Sequence, residues 1–252
     1  MPAWSHLWRE ASAAAASLAE LVLPPDCGGC GAAESRWCPE CADDLRRRTY
    51  AVPRHAQPTP CPAGLPPVVA AGDYDGSLRS LVVAVKDGGR HDLARLLVPL
   101  LRAGLAGRVG VGDVLVVPMP SAPAAIRRRG ADTLTELTRA ALQGHPAGPI
   151  EVRSVLRATR RVADQSRLDS RARAANLAGA YAVPARHTSR VAGRRVLLVD
   201  DVLTTGATLT EGARALQEAG GEVLGAVVIA ATRRRHPGGS ASVAPPRRDG
   251  YG

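Results

Sequence analysis

A chain of 252 residues that is 45% hydrophobic, with no Phe and only 3% aromatics, can bury a sizeable core, but that core must be built from Ala, Val and Leu. The formal charge of +10 suits an anionic partner, either phosphorylated metabolites or nucleic acid, and says nothing about fold. No run approaches the roughly 18 apolar residues that a membrane-spanning helix needs, so no membrane insertion is expected.

In chain order, residues 1–25 begin as a signal peptide would, with Arg9 ahead of an Ala-rich run. Glu20 interrupts that run, and Leu18, Leu21 and Val22 favour an amphipathic helix ended by Pro24. A reducing, cytoplasmic setting is then the default. Residues 26–70 hold a cysteine cluster and a Pro-rich linker without periodicity, RHAQPTPCPAGLPP. Residues 71–232 alternate helix and strand. Ser77–Val85 and Leu93–Leu105 read as helices by their i, i+3, i+4 apolar spacing. Val114–Val117 reads as a buried strand, Leu134–Leu142 as a helix, Val152–Leu156 as a strand and Ser170–Leu177 as a helix. Val196–Val199 is a strong strand, Leu209–Ala219 a helix stopped by Gly220 and Gly221, and Val223–Ala230 a last strand. Strands separated by helices of this length predict an α/β fold, a parallel sheet flanked by crossover helices. Residues 233–252, RRRHPGGSASVAPPRRDGYG, have the composition of a disordered basic tail.

Four of the five Cys form two hooks, Cys27-x2-Cys30 and Cys38-x2-Cys41. Two such hooks offer four thiolates to one tetrahedral Zn²⁺, and Gly28, Gly29 and Gly31 permit the tight turns. A closed four-thiolate set has a structural role, so a small zinc knuckle is expected. Cys61 reads as a bystander thiol, and His55 and His91 as surface residues.

The most informative segment is VLLVDDVLTTGATL, residues 196–209. The unbroken apolar run fits a strand covered on both faces. Asp200 and Asp201 then stand where a parallel sheet presents its ligands, and Thr204, Thr205, Gly206, Ala207 and Thr208 lead into a helix. Small residues there let backbone N–H groups converge on an anion, with hydroxyls and the helix N-terminus adding donors and positive potential. Neither the Gly-Lys-Ser/Thr of a P-loop nor GxGxxG is present. Two carboxylates beside a phosphate make sense when sugar hydroxyls and a divalent cation lie between them, so the segment reads as a cradle for ribose 5-phosphate.

Further site candidates surround it. The loop PMPSAPAAIRRRGAD follows the strand Val114–Val117. It could cover a pyrophosphate with Pro120, Ser121 and one of Arg127, Arg128 or Arg129, of which Arg129 is assigned to the pyrophosphate. RATRRVADQSRLDSRARAAN, residues 157–176, is long and polar for a crossover and reads as a closing lid carrying Arg160, Gln165, Arg173 and Asn176. Lys86 is the only Lys among 33 basic residues, which marks it as a point charge kept for a purpose and places it with Asp200 and Asp201 as a catalytic candidate.

The segment at 196–209 resembles the phosphoribosyl pyrophosphate motif of type I phosphoribosyltransferases. That resemblance implies that Asp200 and Asp201 face the ribose hydroxyls, that Thr204–Thr208 hold the 5-phosphate, and that Mg²⁺ is held chiefly by the substrate's own pyrophosphate and hydroxyls. The early Cys cluster, YDGSLRSLVVAVKDGGR, VPMPS, RRRG and the spaced set Gln165, Leu168, Arg173, Asn176, Gly179 and Tyr181 extend the likeness to the competence protein F-like (ComF/GntX) family. This sequence departs from that family at Ala131, Asp132 and Thr133, where an aromatic, Asn and Gln are usual, and it keeps only Cys61 of a possible second Cys set. The implied function is phosphoribosyl transfer to an unknown acceptor. The acceptor would be chosen by a hood from residues 42–105, in which Tyr74 or Trp37 could stack a base. The family's link to competence suggests an alternative class, a non-enzymatic factor that binds single-stranded DNA and other competence proteins through the knuckle and the Arg-rich surface. The sequence leaves the oligomeric state open, a dimer included.

Overall fold

The computed structural model describes residues 26–109, 114–122, 125–127, 130, 132–146, 150–159 and 179–232. The expected helices at 1–25 and Ser170–Leu177, the basic tail, Arg129, and the lid residues Arg160, Gln165, Arg173 and Asn176 all lie outside that set.

The sheet takes shape around strands with no polar face. β2 (Val68–Asp73), β3 (Val114–Pro118), β7 (Arg195–Leu203) and β8 (Glu222–Ala231) are buried along most of their length. Strands of this kind are stable only with helices on both faces. With β1 (Thr49–Ala56) and β4 (Glu151–Val152) at the edges, the order is β1-β2-β8-β7-β3-β4. All neighbours are parallel except β1, which runs antiparallel to β2. β5 (Arg157–Ala158) and β6 (Tyr181–Ala182) form a separate antiparallel pair.

Five helices complete the described fold: α1 (Pro39–Arg48), α2 (Gly76–Lys86), α3 (Ala94–Leu105), α4 (Thr133–Leu142) and α6 (Ala207–Glu218), with a four-residue α5 (Ala185–Thr188). α3 packs on β2 and β8 and against α4, while α6 packs on β7, β8 and β6. The amphipathic readings hold in detail: α2 buries Leu78, Leu81, Val82 and Val85, and α3 buries Leu97, Leu101 and Leu105. Gly104 permits the closest approach of α3, because a Cβ there would lie 2.6 Å from Val227 Cγ1.

Three expectations are corrected. Val152–Leu156 is not a strand. The ladder stops at Val152, and Val155 and Leu156 are buried in a loop, where their apolar character supplies packing without pairing. β7 does not end at Val199 but continues through Asp200 and Asp201 to Leu203, so the two carboxylates belong to the strand. The stretch after the Cys hooks carries a helix and an edge strand. α1 buries only Cys41 and so shows no apolar stripe. β1 contains Pro53, which a strand tolerates only at an edge, and β2 begins at Val68, ahead of residue 70.

Among the described residues no helix is long and apolar enough to cross a membrane.

Because Leu198 is fully buried at the centre of the sheet, Leu198→Ala should leave a cavity that the tightly covered strand cannot close. Chemical denaturation should read a loss of about 2–5 kcal/mol with little change in m-value.

Candidate functional site

The site grows from the topology. β3 is followed in the chain by β4 on one side of it, whereas β7 is followed by β8 on the opposite side. The crossovers therefore diverge between β3 and β7, and a crevice opens beyond their carboxyl ends, where open α/β sheets take ligands. Both candidate loops leave the sheet at this point. The Met119 N–H donates to the Val199 carbonyl at 2.8 Å, which carries the β3–β7 ladder one step further and sets Pro120 and Ser121 beside Asp200.

The cleft has a volume of about 540 Å³, and its walls include Lys86, Ser121, Asp200, Asp201, Thr204 and Thr208. It thus gathers residues from α2, from the loop after β3, and from β7 and the turn that follows. Pro120 and Tyr74 also line it. Trp37 does not, being packed on the cysteine cluster instead, so of the two aromatics named for stacking only Tyr74 borders the cleft.

The turn into α6 is built on Gly206, which stands at the N-cap with φ +78° and makes no side-chain cap bond. Glycine is required here twice over. The left-handed conformation disfavours other residues, and a Cβ would lie 3.1 Å from Leu65 and 3.3 Å from Pro58 of the loop packed over it. The helix begins at Ala207, with Thr204 and Thr208 facing the cleft. The Ala207 N–H makes only a long contact, 3.5 Å, to Thr205 Oγ1, and a helix N-terminus is a favourable place for an anion.

Charge balance decides the rest. Asp200 and Asp201 are consecutive, and the Asp201 N–H donates to Asp200 Oδ1 at 2.8 Å. Burial first, and the Asp201 charge second, push the Asp200 carboxyl up to about 8, against the opposing pull of Lys86. Lys86, the last residue of α2, makes an ion pair with Asp201 Oδ2. Burial disfavours its ammonium, but Asp201, Asp200 and Asp87 more than offset this and hold its pKa above the ordinary lysine value. Tyr181, at the cleft wall, is kept a neutral phenol. Burial, helped by Asp200 and Glu211, pushes its pKa up to about 12. Its backbone is pinned by α6, with the Tyr181 N–H reaching Glu211 Oε1 at 3.5 Å and Arg214 Nη2 donating to the Tyr181 carbonyl at 3.0 Å.

Asp132 has a clear part to play. Ser121 Oγ donates to one of its oxygens at 2.9 Å and Thr135 Oγ1 to the other at 2.7 Å. The carboxylate thus ties the loop after β3 to the foot of α4 and uses the Ser121 proton, leaving the Ser121 N–H and hydroxyl lone pairs for whatever enters the cleft. Sequence reasoning missed Tyr50 and Asp73. The Tyr50 hydroxyl donates to Asp73 Oδ1 at 2.5 Å, and both line a second cavity of about 650 Å³ with His55, Gln57 and the exposed Cys61. Asp73 ends the apolar run VVAAGD, so the rule that singles out Asp200 would have found it too.

The four hook cysteines converge, with ligand atoms within 4.8 Å of one another. Cys30 Sγ and Cys38 Sγ are 3.6 Å apart, close to the edge of about 3.8 Å for a tetrahedron with Zn–S bonds of about 2.3 Å. The backbone N–H groups of Gly29 and Cys38 point at Cys27 Sγ, at 3.4 and 3.3 Å. Burial opposes the Cys27 thiolate, yet these N–H groups and that of Cys30 bring its pKa down to about 6. Burial pushes Cys41 up. Four thiols so close cannot all ionise without a cation among them, and the donor set fits Zn²⁺. Gly29 is obligatory in this packing, since a Cβ there would lie 2.5 Å from Cys41 Sγ.

Residues 124–241 match the phosphoribosyl transferase domain family. An adenine phosphoribosyltransferase of Clavibacter michiganensis subsp. michiganensis is 34% identical over 154 residues, which is 60% of this chain and 82% of that protein. The chain belongs to the phosphoribosyltransferase family. Shorter matches reach an orotate phosphoribosyltransferase of Methanopyrus kandleri (51% identity over 49 residues, 19% of this chain and 27% of the relative) and an adenine phosphoribosyltransferase of Mycobacteroides abscessus (51% over 55 residues, 22% and 30%). In these two matches the chain spans between a quarter and a third of the relative's length. Membership fits the α/β sheet and the crevice at the ends of β3 and β7, and the four-cysteine cluster stands outside the matched region.

The cysteine geometry makes a direct prediction. The purified chain should carry one zinc ion, with X-ray absorption showing sulfur neighbours only, at about 2.3 Å. Cys38→Ser should release most of it; full zinc retention in that variant would rule out the four-thiolate site.

Proposed function

We propose that the chain binds phosphoribosyl pyrophosphate with Mg²⁺ and transfers its phosphoribosyl group to an acceptor, as a ComF-type member of the family. The observation that carries this reading is the delivery by one strand, β7, of two adjacent carboxylates a short turn ahead of a helix N-terminus, with Lys86 brought in from a separate helix to compensate them. A plain anion site would not tolerate the carboxylates. A phosphorylated sugar needs them.

In this reading the 5-phosphate lies on the backbone N–H groups and hydroxyls of Thr204–Thr208 at the start of α6. Asp200 and Asp201 accept from the ribose hydroxyls. Pro120 and Ser121, with Arg129, cover the pyrophosphate. The segment bearing Arg160, Gln165, Arg173 and Asn176 keeps water from the reacting carbon. Mg²⁺, held chiefly by the pyrophosphate and hydroxyl oxygens of the substrate, would neutralise charge on the leaving group. The acceptor's lone pair forms the new bond at the anomeric carbon as the bond to pyrophosphate breaks, and pyrophosphate leaves with the electron pair. The protein contributes position and fixed charge, and no covalent intermediate on the protein is needed. The zinc knuckle is structural. The acceptor enters from the side of residues 42–105.

The alternative, single-stranded DNA binding through the knuckle, is less well supported by the described surface. Arg46, Arg47 and Arg48 of α1 are already engaged with Asp43 and Asp44, and Arg48 also with Asp75.

Isothermal titration with phosphoribosyl pyrophosphate and Mg²⁺ tests the proposal. Saturable binding that is abolished in the double variant Asp200→Ala/Asp201→Ala is expected. Absence of binding by the native chain, or binding unaffected by the double substitution, would refute it.

A further inference from the structure

Lys86 is half-exposed, with 52% of its side chain accessible, so burial alone does not keep it on Asp201. Exposed ion pairs contribute little by themselves, because water competes for both partners and the long side chain loses entropy on being held. What holds the pair is the placement of the end of α2, and α2 is gripped at both ends by residues of the cysteine knuckle.

At the N-terminal end the grip comes from α1, whose N-cap is Cys38 and whose one buried residue is Cys41. Asp44 Oδ2 accepts the Ser77 N–H in the first turn of α2 at 2.8 Å. Arg48 bridges Asp44 at 3.3 Å and Asp75, the N-cap of α2, at 2.8 Å. A carboxylate on the first N–H groups of a helix is favourably placed against its dipole.

At the C-terminal end the connection is more direct. The Arg90 N–H donates to the Ala84 carbonyl at 3.0 Å, which fixes Arg90 to the last turn of α2. Its guanidinium donates to the Asp26 carbonyl at 2.8 Å and the Arg36 carbonyl at 3.4 Å. Those two carbonyls lie just ahead of the two CxxC hooks. Asp92 orients the same guanidinium through two bonds of 2.9 Å. Beside it Leu93 packs on Gly28, between the first two cysteines, so closely that a Cβ there would lie 2.3 Å from Leu93 Cδ1. Both carbonyls and Gly28 belong to loops whose course is fixed by bringing the four thiols to one point.

We infer that Arg90 is a positioning residue that ties the metal-closed knuckle to the end of α2 and thereby keeps Lys86 paired with Asp201. The inference rests on the zinc reading of the four cysteines and on the site proposed above, but not on the identity of the ligand. It makes the knuckle a working part of the cleft: closure of the four-thiolate site sets the charge balance on the Asp200–Asp201 pair. An amine released from that pair titrates closer to its ordinary range, and a larger fraction is then reactive at any fixed pH below it.

Because Lys86 is the only lysine, its acylation by an N-hydroxysuccinimide ester can be followed alone by peptide mass spectrometry, with no substrate present. In the zinc-loaded full chain the rate should be slow. Zinc removal by a chelator should raise it severalfold, and Arg90→Ala should raise it to a similar level while zinc content and circular dichroism stay native. In Arg90→Ala a chelator should add little more. Should that variant lose its fold, Arg90→Gln, which removes the same fork with less loss of volume, is read in the same way. Equal rates in the native chain and the folded variant would overturn the inference. So would a rate unmoved by verified zinc removal, or a chain that retains no zinc. The assay contains no phosphoribosyl pyrophosphate, so failure of the proposed substrate in titration leaves this result intact and the two readings separable.

Discussion

Two consecutive carboxylates at the end of a strand covered on both faces are the constraint around which the rest is arranged. The strand must be buried to sit at the centre of a parallel sheet, and burial disfavours charge at its end. Placing Asp200 and Asp201 there therefore requires either a proton or a cation. The free protein uses both: burial and the neighbouring charge hold the Asp200 carboxyl far above its ordinary range, and Lys86 lies across Asp201. Such an arrangement is poised for a ligand that brings hydroxyl donors and its own divalent cation, since these would take over the task of balancing the charge.

Each supporting element follows from that need. The divergence of crossovers between β3 and β7 opens the crevice. Gly206 turns the chain sharply enough for α6 to start within a few residues of the carboxylates, and it admits the covering loop at Leu65 and Pro58. Asp132 ties the Ser121 loop to α4 from the other side. The knuckle, which stands outside the region matched to the family, grips α2 at both ends and so reaches the cleft through Lys86.

The centre of the fold and much of the candidate site could be read from the sequence because they rest on local signals. Val196–Val199 is apolar without a break, the Thr-Gly-Ala-Thr turn follows it a few residues later, and the CxxC hooks carry their geometry in their spacing. Lys86 stood out by rarity, but its partner could not be read, since residues 86 and 201 meet only through packing of α2 over the sheet edge. β1 was invisible because an edge strand interrupted by Pro53 and largely exposed has no apolar alternation. Val152–Leu156 misled because burial in a loop and burial in a strand leave the same apolar trace. The tie between Ser121 and Asp132 and the Tyr50–Asp73 pair required distances across elements that no periodicity encodes.

The most direct test of this charge balance is a carboxyl-carbon NMR titration of aspartate-labelled protein without ligand, with resonances assigned through Asp200→Asn. Asp200 should titrate near 8, and Lys86→Met should raise it further, because removing the ammonium removes a nearby charge that favours ionisation. A value in the ordinary range, about 3.9, with no response to Lys86→Met, would contradict the claim that a partly buried, lysine-compensated carboxylate pair defines this site.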